Sequence, residues 1–306
     1  MDSIITLFVY GVFDDPTKAE NYFTYAQAMS SAGFNTVVLS TFHIHPDGSL
    51  YNGQQGLMVN GQFNPDGQQY AELPQVFAGI KSGDVTKLLY SVGNWAGTKD
   101  DLSALAAIMQ DYPDPSDAGN PLYINIQGLK DQLYIDGIDC DFEPHDGFDY
   151  DEMLPILVYF TELCYYAGLE VTYCPYTSPE TWLQALQECY SHFGQQPVSY
   201  FNLQEYGGAD PASWISQIES YGQPLGISDV PAFVIPGYSC DGGIGCTSCA
   251  ESICSGLTND RAANSGIRGA FVWQLGDALS CDDLSTALQG WAGGITNALN
   301  DRPCGG

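Results

Sequence analysis

One short acidic segment constrains this chain more than any other part of it. In YIDGIDCDFEPHDGFD, residues 134–149, four acidic residues occupy eight consecutive positions. If residues 135–142 form a buried strand, Asp139, Asp141 and Glu143 point to one face, because side chains alternate along a strand. Three carboxyl groups this close cannot all ionise freely, so at least one pKa is raised toward the range that suits proton donation near neutral pH. Glu143, the last of the row, is the predicted proton donor.

Two other interpretations fit the acidic segment less well. A calcium-binding loop counted from Asp139 needs Gly at its sixth position and Glu at its twelfth, where this chain has Pro144 and Tyr150. A solvated acidic turn does not explain why the apolar residues Ile138 and Phe142 alternate with the acids. The pattern therefore favours a half-buried strand with a row of carboxyl groups on one face.

Strand-like and helix-like segments alternate along the whole chain, as judged from apolar runs and from apolar residues at helical spacing. The predicted strands span residues 3–10, 35–42, 87–92, 135–142, 170–173, 198–206, 232–235 and 269–274. The predicted helices span 18–31, 70–81, 100–112, 124–133, 151–167, 180–193, 212–221, part of 242–263, and 284–299. Eight strand–helix pairs predict an α/β fold, a (β/α)₈ TIM barrel that forms a single domain over residues 1–306. A polar loop is expected at 46–67.

The charge of the chain excludes several classes of partner. The formal net charge is −29, with 37 acidic and only 8 basic residues. Nucleic acids and anionic membrane surfaces attract basic proteins, so we expect neither as a partner. The apolar segment 4–12 lacks a basic flank and is too short to span a bilayer, so it is interpreted as the first strand. A neutral polysaccharide is not repelled by this charge.

All ten cysteines lie between Cys140 and Cys304. This number of cysteines indicates an oxidising compartment, so we expect a secreted, extracellular protein from which any signal segment has been removed. Four of the cysteines cluster around one CxxC: Cys240, Cys246, Cys249 and Cys254. Zinc is an alternative for this cluster, but zinc sites usually have two paired knuckles, so disulfides are favoured. Cys140 and Cys174 lie in predicted strands and are interpreted as buried thiols.

Histidines offer a second possible metal site. His43 and His45 form an HxH after the second predicted strand, but no third ligand is within reach in sequence, so packing in a loop is favoured. His145 lies beside the acidic row, where it either tunes the row or caps a loop.

The segment DGIDCDFE, Asp136 to Glu143, resembles the DxxDxDxE signature of family 18 glycoside hydrolases, with every fixed position filled. That family contains chitinases, endo-β-N-acetylglucosaminidases and non-catalytic lectins, and its substrates assist their own hydrolysis. The resemblance implies that Glu143 is the acid and base and that Asp141 orients the substrate acetamide. It also implies that Asp139 holds Asp141 and helps to set its protonation. This chemistry requires no metal and no organic cofactor.

The resemblance extends along the chain from Tyr10 to Trp273. Tyr10 closes the first strand, and Trp273 ends the eighth, where the family has a Trp beneath the sugar at the cleavage point. An indole face matches the apolar face of a pyranose. Ser91, in YSVGNW, lies where the family has SxGG, which implies a hydrogen bond to the acidic row. Asn94 replaces the second Gly of that pattern and is expected to reshape the loop.

Strands six and five carry further candidates for substrate binding. NLQEY places Asn202, Gln204 and Tyr206 on one face if the strand runs to residue 206. This segment resembles the QxY of plant-type and endoglycosidase members and implies that Tyr206 holds the substrate acetamide. On strand five, YCPY resembles the family's APQ-like end, but Tyr176 replaces the Gln. Packing is the alternative role for each of these aromatic residues.

The connection between the seventh and eighth strands bears on the shape of the cleft. Residues 239–268 are too few for the barrel helix and also the small α+β subdomain that some chitinases insert there, so an open cleft suited to internal cleavage is expected. The predicted function is an endo-acting retaining chitinase on chitin or another N-acetylglucosamine-containing glycan, and a monomer is expected. The alternatives are an endo-β-N-acetylglucosaminidase acting on N-glycan chitobiose cores, and a glycan-binding lectin without activity.

Overall fold

A closed barrel of eight parallel strands forms the centre of the molecule. The computed structural model describes residues 2–53, 55–65, 70–144, 149–240 and 246–305. Its strands are β1 (Ile4–Tyr10), β2 (Thr36–Ile44), β3 (Leu50–Asn52), β4 (Gln55–Val59), β5 (Gln62–Phe63), β6 (Lys87–Gly93), β7 (Gly137–Asp141), β8 (Glu170–Tyr173), β9 (Val198–Leu203), β10 (Val234–Ser239) and β11 (Gly269–Trp273). Strands β1, β2 and β6 to β11 pair in parallel, and the pairing of β1 with both β2 and β11 closes the ring. The predicted (β/α)₈ barrel is therefore confirmed.

Helices surround the barrel, and many begin directly after a polar residue that caps them. The helices are α1 (Tyr22–Ser30), α2 (Leu73–Ile80), α3 (Thr98–Asp111), α4 (Pro121–Leu133), α5 (Tyr150–Tyr166), α6 (Pro179–Phe193), α7 (Pro211–Ser220), α8 (Val230–Phe233), α9 (Cys246–Ala263), α10 (Leu275–Ala278) and α11 (Leu284–Leu299), with 3₁₀ helices at Pro16–Asn21 and Glu205–Gly207. The side chains of Asn120, Asp149, Asp210 and Asp283 each accept a hydrogen bond from a backbone N–H in the first turn that follows them. These caps pair helix donors that have no partner within the helix, which fixes where α4, α5, α7 and α11 start.

Three segments differ from the sequence predictions. The loop expected at 46–67 contains β3, β4 and β5, which extend the edge of β2 as an antiparallel ribbon and pack against α4. The sixth barrel strand ends at Leu203 and not at residue 206, because the chain turns there into the 3₁₀ helix Glu205–Gly207. The seventh strand starts at Val234, two residues later than predicted, because the preceding residues form α8.

The alternation predicted for the acidic strand is present in β7. Asp139 and Asp141 point into the barrel, where they meet side chains from β6, β8 and the segment after β9. On the opposite face, the thiol of Cys140 lies near those of Cys164 on α5 and Cys189 on α6, and the Phe142 ring packs against Phe160 of α5. One face of the strand thus serves the core between sheet and helices, and the other serves the barrel interior.

Six cysteines form disulfides, as the sequence favoured, and tie the last part of the chain together. The pairs are Cys240–Cys249, Cys246–Cys281 and Cys254–Cys304. Cys140, Cys164, Cys174 and Cys189 are free and buried. In the part of the chain that the structure describes, α9 alone lies between β10 and β11, and no His, Cys, Asp or Glu side chains group as a metal site. No helix among the described residues is long and apolar enough to cross a membrane.

Candidate active site

The acidic row lies at the carboxyl end of β7, where the barrel interior opens to solvent. Asp139 is fully buried, and Asp141 is 3% exposed. Glu143 lies two residues beyond the end of the strand and is partly exposed. The three carboxyl groups therefore rise stepwise from the barrel interior to the cleft. The carboxyl ends of the strands are where barrel enzymes carry their chemistry.

Asp139, the deepest acid, is surrounded by hydrogen-bond donors from three other strands of the barrel. Thr172 donates to Oδ1 at 2.6 Å, Asn202 donates to Oδ1 at 2.9 Å, and Ser91 donates to Oδ2 at 3.2 Å. Strand register causes this meeting, because Asp139 lies directly between Ser91 of β6 and Thr172 of β8. Burial raises the pKa of Asp139 to about 6, although the three donors oppose this rise.

Asp141 and Glu143 are bridged by one amide. Nε2 of Gln204 lies 2.9 Å from Oδ1 of Asp141 and 3.2 Å from Oε1 of Glu143, and it also lies 3.0 Å from the carbonyl oxygen of Cys174. Burial, followed by the negative charges of Glu143 and Asp139, raises the pKa of Asp141 well above its usual value, while a hydrogen bond from the Cys174 thiol opposes the rise. A cationic group placed beside Asp141 would oppose this rise and favour its ionised form.

The backbone at Glu143 is fixed by a chain of hydrogen bonds from the loop after β6. The Glu143 N–H donates to the Thr98 hydroxyl at 3.0 Å, and this hydroxyl donates to the Asn94 carbonyl at 2.6 Å. The Asn94 N–H in turn donates to the carbonyl of Asp141 at 2.8 Å. Asn94 has a φ of 76°, a conformation that Gly favours and that Asn tolerates better than most residues. Asn94 stands where the SxGG pattern has its second Gly, and its backbone has the left-handed conformation that Gly favours.

The Asn94 side chain gives that loop its shape. Its Oδ1 accepts hydrogen bonds from the N–H groups of Ala96 and Gly97 at 2.8 and 2.9 Å, and its Nδ2 donates to Thr41 at 2.8 Å. A Gly at this position has no side chain for these contacts. The expected reshaping of the loop therefore takes the form of a turn that Asn94 caps and ties to β2.

A wall of aromatic rings lies beside the acidic row. The Trp273 ring centroid is 5.6 Å from that of Tyr10, at an interplanar angle of 28°, and 6.1 Å from that of Tyr206, at 21°. Tyr10 and Tyr206 are 39% and 38% exposed, so both rings reach solvent. Desolvation and the nearby acidic side chains raise the pKa of the Tyr206 hydroxyl well above its usual value. Tyr206 is therefore a hydrogen-bond donor throughout the neutral pH range.

The structure places Tyr176 at the rim of the site. It is partly buried and forms a hydrogen bond with Tyr150 of α5. Desolvation, followed by the charge of Glu143, raises the pKa of the Tyr176 hydroxyl. Tyr176 thus faces the acidic row as a second phenol, although the side chain has no amide with which to replace the Gln of the resembled pattern.

Three residues that the sequence analysis missed support the row. Thr172 donates to Asp139, the Cys174 thiol donates to Asp141, and Thr98 accepts from the Glu143 backbone. Thr172 and Cys174 could have been found, because they alternate with the apolar residues of β8 and so face the barrel interior. Thr98 gave no such signal, since its role depends on where the loop after β6 turns.

A polar cavity of about 390 Å³ adjoins the site and includes Tyr10, Asn94 and His43 in its lining. His43 is hydrogen-bonded through Nδ1 to Asp101 at 2.9 Å, and the His45 ring stacks on Tyr51. Both histidines of the HxH thus have protein partners. His145, which follows Glu143 by two positions, lies outside the described residues.

The fold and this site together define a parallel (β/α)₈ barrel with an acidic centre at the carboxyl ends of its strands. No protein-family model matches the sequence, and no curated protein matches it either. Among solved structures, the catalytic domain of a GH18 chitinase from the fern Peteris ryukyuensis is similar, with a TM-score of 0.59 and 15% identity over 97% of this chain and 99% of that one.

Two further chitinases are similar to the same extent. One from Bacteroides thetaiotaomicron has a TM-score of 0.60 and 13% identity over 98% of this chain and 97% of that one. A Group IV chitinase from Ostrinia furnacalis, solved in complex with allosamidin, has a TM-score of 0.57 and 12% identity over 98% of this chain and 99% of that one. At such identities the similarity shows that the fold, over nearly the whole chain, is that of the GH18 chitinases.

Proposed function

We propose that this chain is a single catalytic domain, a retaining glycosidase that cleaves internal β-1,4 bonds of chitin or related N-acetylglucosamine polymers. The observation that carries the proposal is the stepped row at the end of β7. Asp139 is held by three donors at its base, and Asp141 and Glu143 are bridged above it by the amide of Gln204. The similarity of the fold to GH18 chitinases supports the same assignment.

Glu143 is the proton donor and acceptor in this mechanism. It is the outermost acid of the row, it is partly exposed, and its backbone is fixed through Thr98. Glu143 protonates the leaving oxygen while the acetamide carbonyl of the substrate attacks the anomeric carbon, which gives a cyclic oxazolinium ion. Glu143 then takes a proton from water, and that water opens the ion with retention of configuration.

Asp141 supplies the electrostatic stabilisation. Burial and two neighbouring carboxyl groups raise the pKa of Asp141, and positive charge that develops next to it favours its ionised form. The oxazolinium ion carries that charge. Stabilisation therefore increases along the reaction path and is greatest where catalysis needs it. Asp139 lies below, and its own charge helps to set the protonation of Asp141.

The aromatic wall is assigned to sugar binding. Trp273, flanked by Tyr10 and Tyr206, provides an apolar surface for a pyranose face, and the protonated Tyr206 hydroxyl is the donor for the acetamide oxygen. The polar cavity next to Tyr10 extends the cleft away from the wall and supports a substrate longer than one sugar unit. Asn202, Gln204 and Ser91 act through the acids rather than on the sugar.

Secretion forms part of the proposal. Three disulfides in the described chain are stable in an oxidising compartment and are rarely found in the cytosol. The net charge of −29 also suits a protein that meets a neutral, insoluble polymer and needs no nucleic-acid or membrane contact.

The test is product release from chitin oligosaccharides and from a high-mannose glycopeptide, measured for the wild type and Glu143→Gln. We expect the wild type to cut the oligosaccharides and Glu143→Gln to be slower by about 10² to 10⁴, the usual contribution of a positioned acid and base. Glu219→Gln, which makes the same change on the exposed side of α7, is the matched control and keeps full activity.

The other outcomes separate the alternatives. Cleavage of the glycopeptide alone would assign the chain as an endo-β-N-acetylglucosaminidase. Binding of oligosaccharides without any cleavage would assign it as a lectin. Equal turnover by the wild type and Glu143→Gln would show that Glu143 is not the acid.

A further inference from the structure

A second group of ionisable side chains meets behind the aromatic wall, between β9, β10 and α9. Tyr238 of β10 donates its hydroxyl hydrogen to the carboxylate of Asp260 on α9. Glu205, which follows β9, lies within hydrogen-bonding reach of Asp260 and of the same Tyr238 hydroxyl. Oε2 of Glu205 is buried and has no partner among the described residues. Two carboxyl groups thus face each other outside the catalytic row.

The charges around Glu205 favour its protonated form. The charged groups that act on Glu205 from the described chain are Asp260 of α9 and Asp210 at the start of α7, and both are acidic. Arg261 is next to Asp260 in sequence, but its guanidinium donates to the Ile267 carbonyl and faces Asp301. Burial and then Asp260 raise the pKa of Glu205 to about 8, so Glu205 is a carboxylic acid at neutral pH. Its O–H is the donor to the Asp260 carboxylate.

The position of Glu205 in the chain connects this proton to the active site. Gln204, on one side, bridges Asp141 and Glu143, and Tyr206, on the other, stacks on Trp273. Residues Glu205–Gly207 form one 3₁₀ turn that begins directly after Gln204, so a shift of this turn displaces the backbone that carries all three side chains. The bond from Glu205 to α9 anchors this turn from outside the barrel.

We propose that Glu205 is a positioning residue that shares one proton with Asp260, holds Gln204 and Tyr206 in the cleft, and sets the alkaline limit of catalysis when that proton is lost. Above this limit two half-buried carboxylates repel each other, with no cation between them among the residues that the structure describes. The turn then moves away from α9 and carries the bridging amide of Gln204 away from the acidic row. The inference rests on the proposed function because its kinetic readout is glycan hydrolysis.

Two variants remove the repulsion without removing the hydrogen bond. In Glu205→Gln the new amide donates to Asp260 at every pH. In Asp260→Asn the new amide donates to the Glu205 carboxylate. For each variant we expect the alkaline limb of the kcat/KM profile on a chitin oligosaccharide to move upward by about one pH unit or more. Glu219→Gln is the matched control and leaves the limb in place.

A measurement without substrate separates this proposal from the proposed function. The wild type should show an infrared carbonyl band that Glu205→Gln lacks, and this band should disappear as the pH rises through about 8, together with a change in the near-ultraviolet circular dichroism of the aromatic wall. Both changes should be missing in Glu205→Gln. If no glycan is cut but both changes occur in the wild type alone, the proposed function fails and the proton-dependent turn stands.

An alkaline limb that is identical in the wild type and Glu205→Gln would overturn the proposal, because the limb would then belong to another group such as Glu143. An infrared carbonyl band at pH 6.5 that is the same in the wild type and in Glu205→Gln would overturn it equally.

Discussion

Replacing Asp139 by Asn should stabilise the fold while it impairs the site. Asp139 is fully buried, and burial raises its pKa from 3.8 to about 6. The folded protein therefore binds this proton more tightly than the unfolded chain does. The favourable contribution to stability is complete below pH 3.8, and it is lost as the pH rises through about 6. At neutral pH the wild type carries the full cost of an ionised, buried carboxylate.

The size of that cost follows from the difference between the two pKa values. A difference of about two pH units corresponds to about 3 kcal/mol, and this is an upper value for a single site. The amide of Asp139→Asn does not ionise, and it fits the same partners. Its oxygen can accept from Thr172 and Asn202, which both donate to Oδ1 now, and its NH₂ can donate to the Ser91 oxygen.

The assay is urea unfolding of the wild type and Asp139→Asn at pH 4 and pH 7.5. We expect the variant to gain up to ~3 kcal/mol over the wild type at pH 7.5 and much less at pH 4, while hydrolysis at pH 7.5 becomes slower. Asp131→Asn, on the exposed surface of α4, is the control and should show no such pH-dependent gain. A difference in unfolding free energy between wild type and Asp139→Asn that is the same at both pH values would refute the reasoning.

Two further predictions test the loop after β6 and the aromatic wall. Gly93→Ala should lower the free energy of unfolding by several kcal/mol and abolish activity. Gly93 has a φ of 105°, and an added Cβ would lie 2.4 Å from the carbonyl oxygen of Asp141. Gly194 has a φ of 68°, and no atom lies within 4 Å of an added Cβ. Gly194→Ala should therefore lower the free energy of unfolding by only about 1 kcal/mol in a thermal unfolding experiment. Equal losses of stability for the two variants would contradict the clash at Gly93. Trp273→Ala should raise KM on chitin oligosaccharides about tenfold, which corresponds to a loss of ~1.4 kcal/mol of binding free energy. An unchanged KM would show that Trp273 does not contact the sugar.

Elements whose information is local could be predicted from the sequence. The row Asp139, Asp141, Glu143 was predicted from period-two alternation, and β7 has that alternation. The eight strand–helix pairs were predicted from apolar periodicity, with ends displaced by a few residues. The error at Tyr206 shows the limit of this reasoning. Alternation along an extended strand placed it beside Gln204, but the strand ends at Leu203, and Tyr206 reaches the aromatic wall from a 3₁₀ turn.

Contacts between distant parts of the chain could not be predicted in this way. The amide that bridges Asp141 and Glu143 comes from Gln204, more than sixty positions away, and Asp260 lies more than fifty positions from Glu205. The sequence pattern predicts a loop where the ribbon β3 to β5 forms, because these short strands are stabilised by pairing with β2 and packing on α4 and not by their own pattern.

By itself, the sequence determined the kind of barrel and the acids at its centre, because burial along a strand and its side-chain alternation depend on neighbouring residues. Only the tertiary structure decided which donors hold those acids, which cysteines pair, and how far each pKa moves from its ordinary value. These properties depend on strand register, on desolvation, and on groups brought together by closure of the ring, and no local pattern in the chain records them.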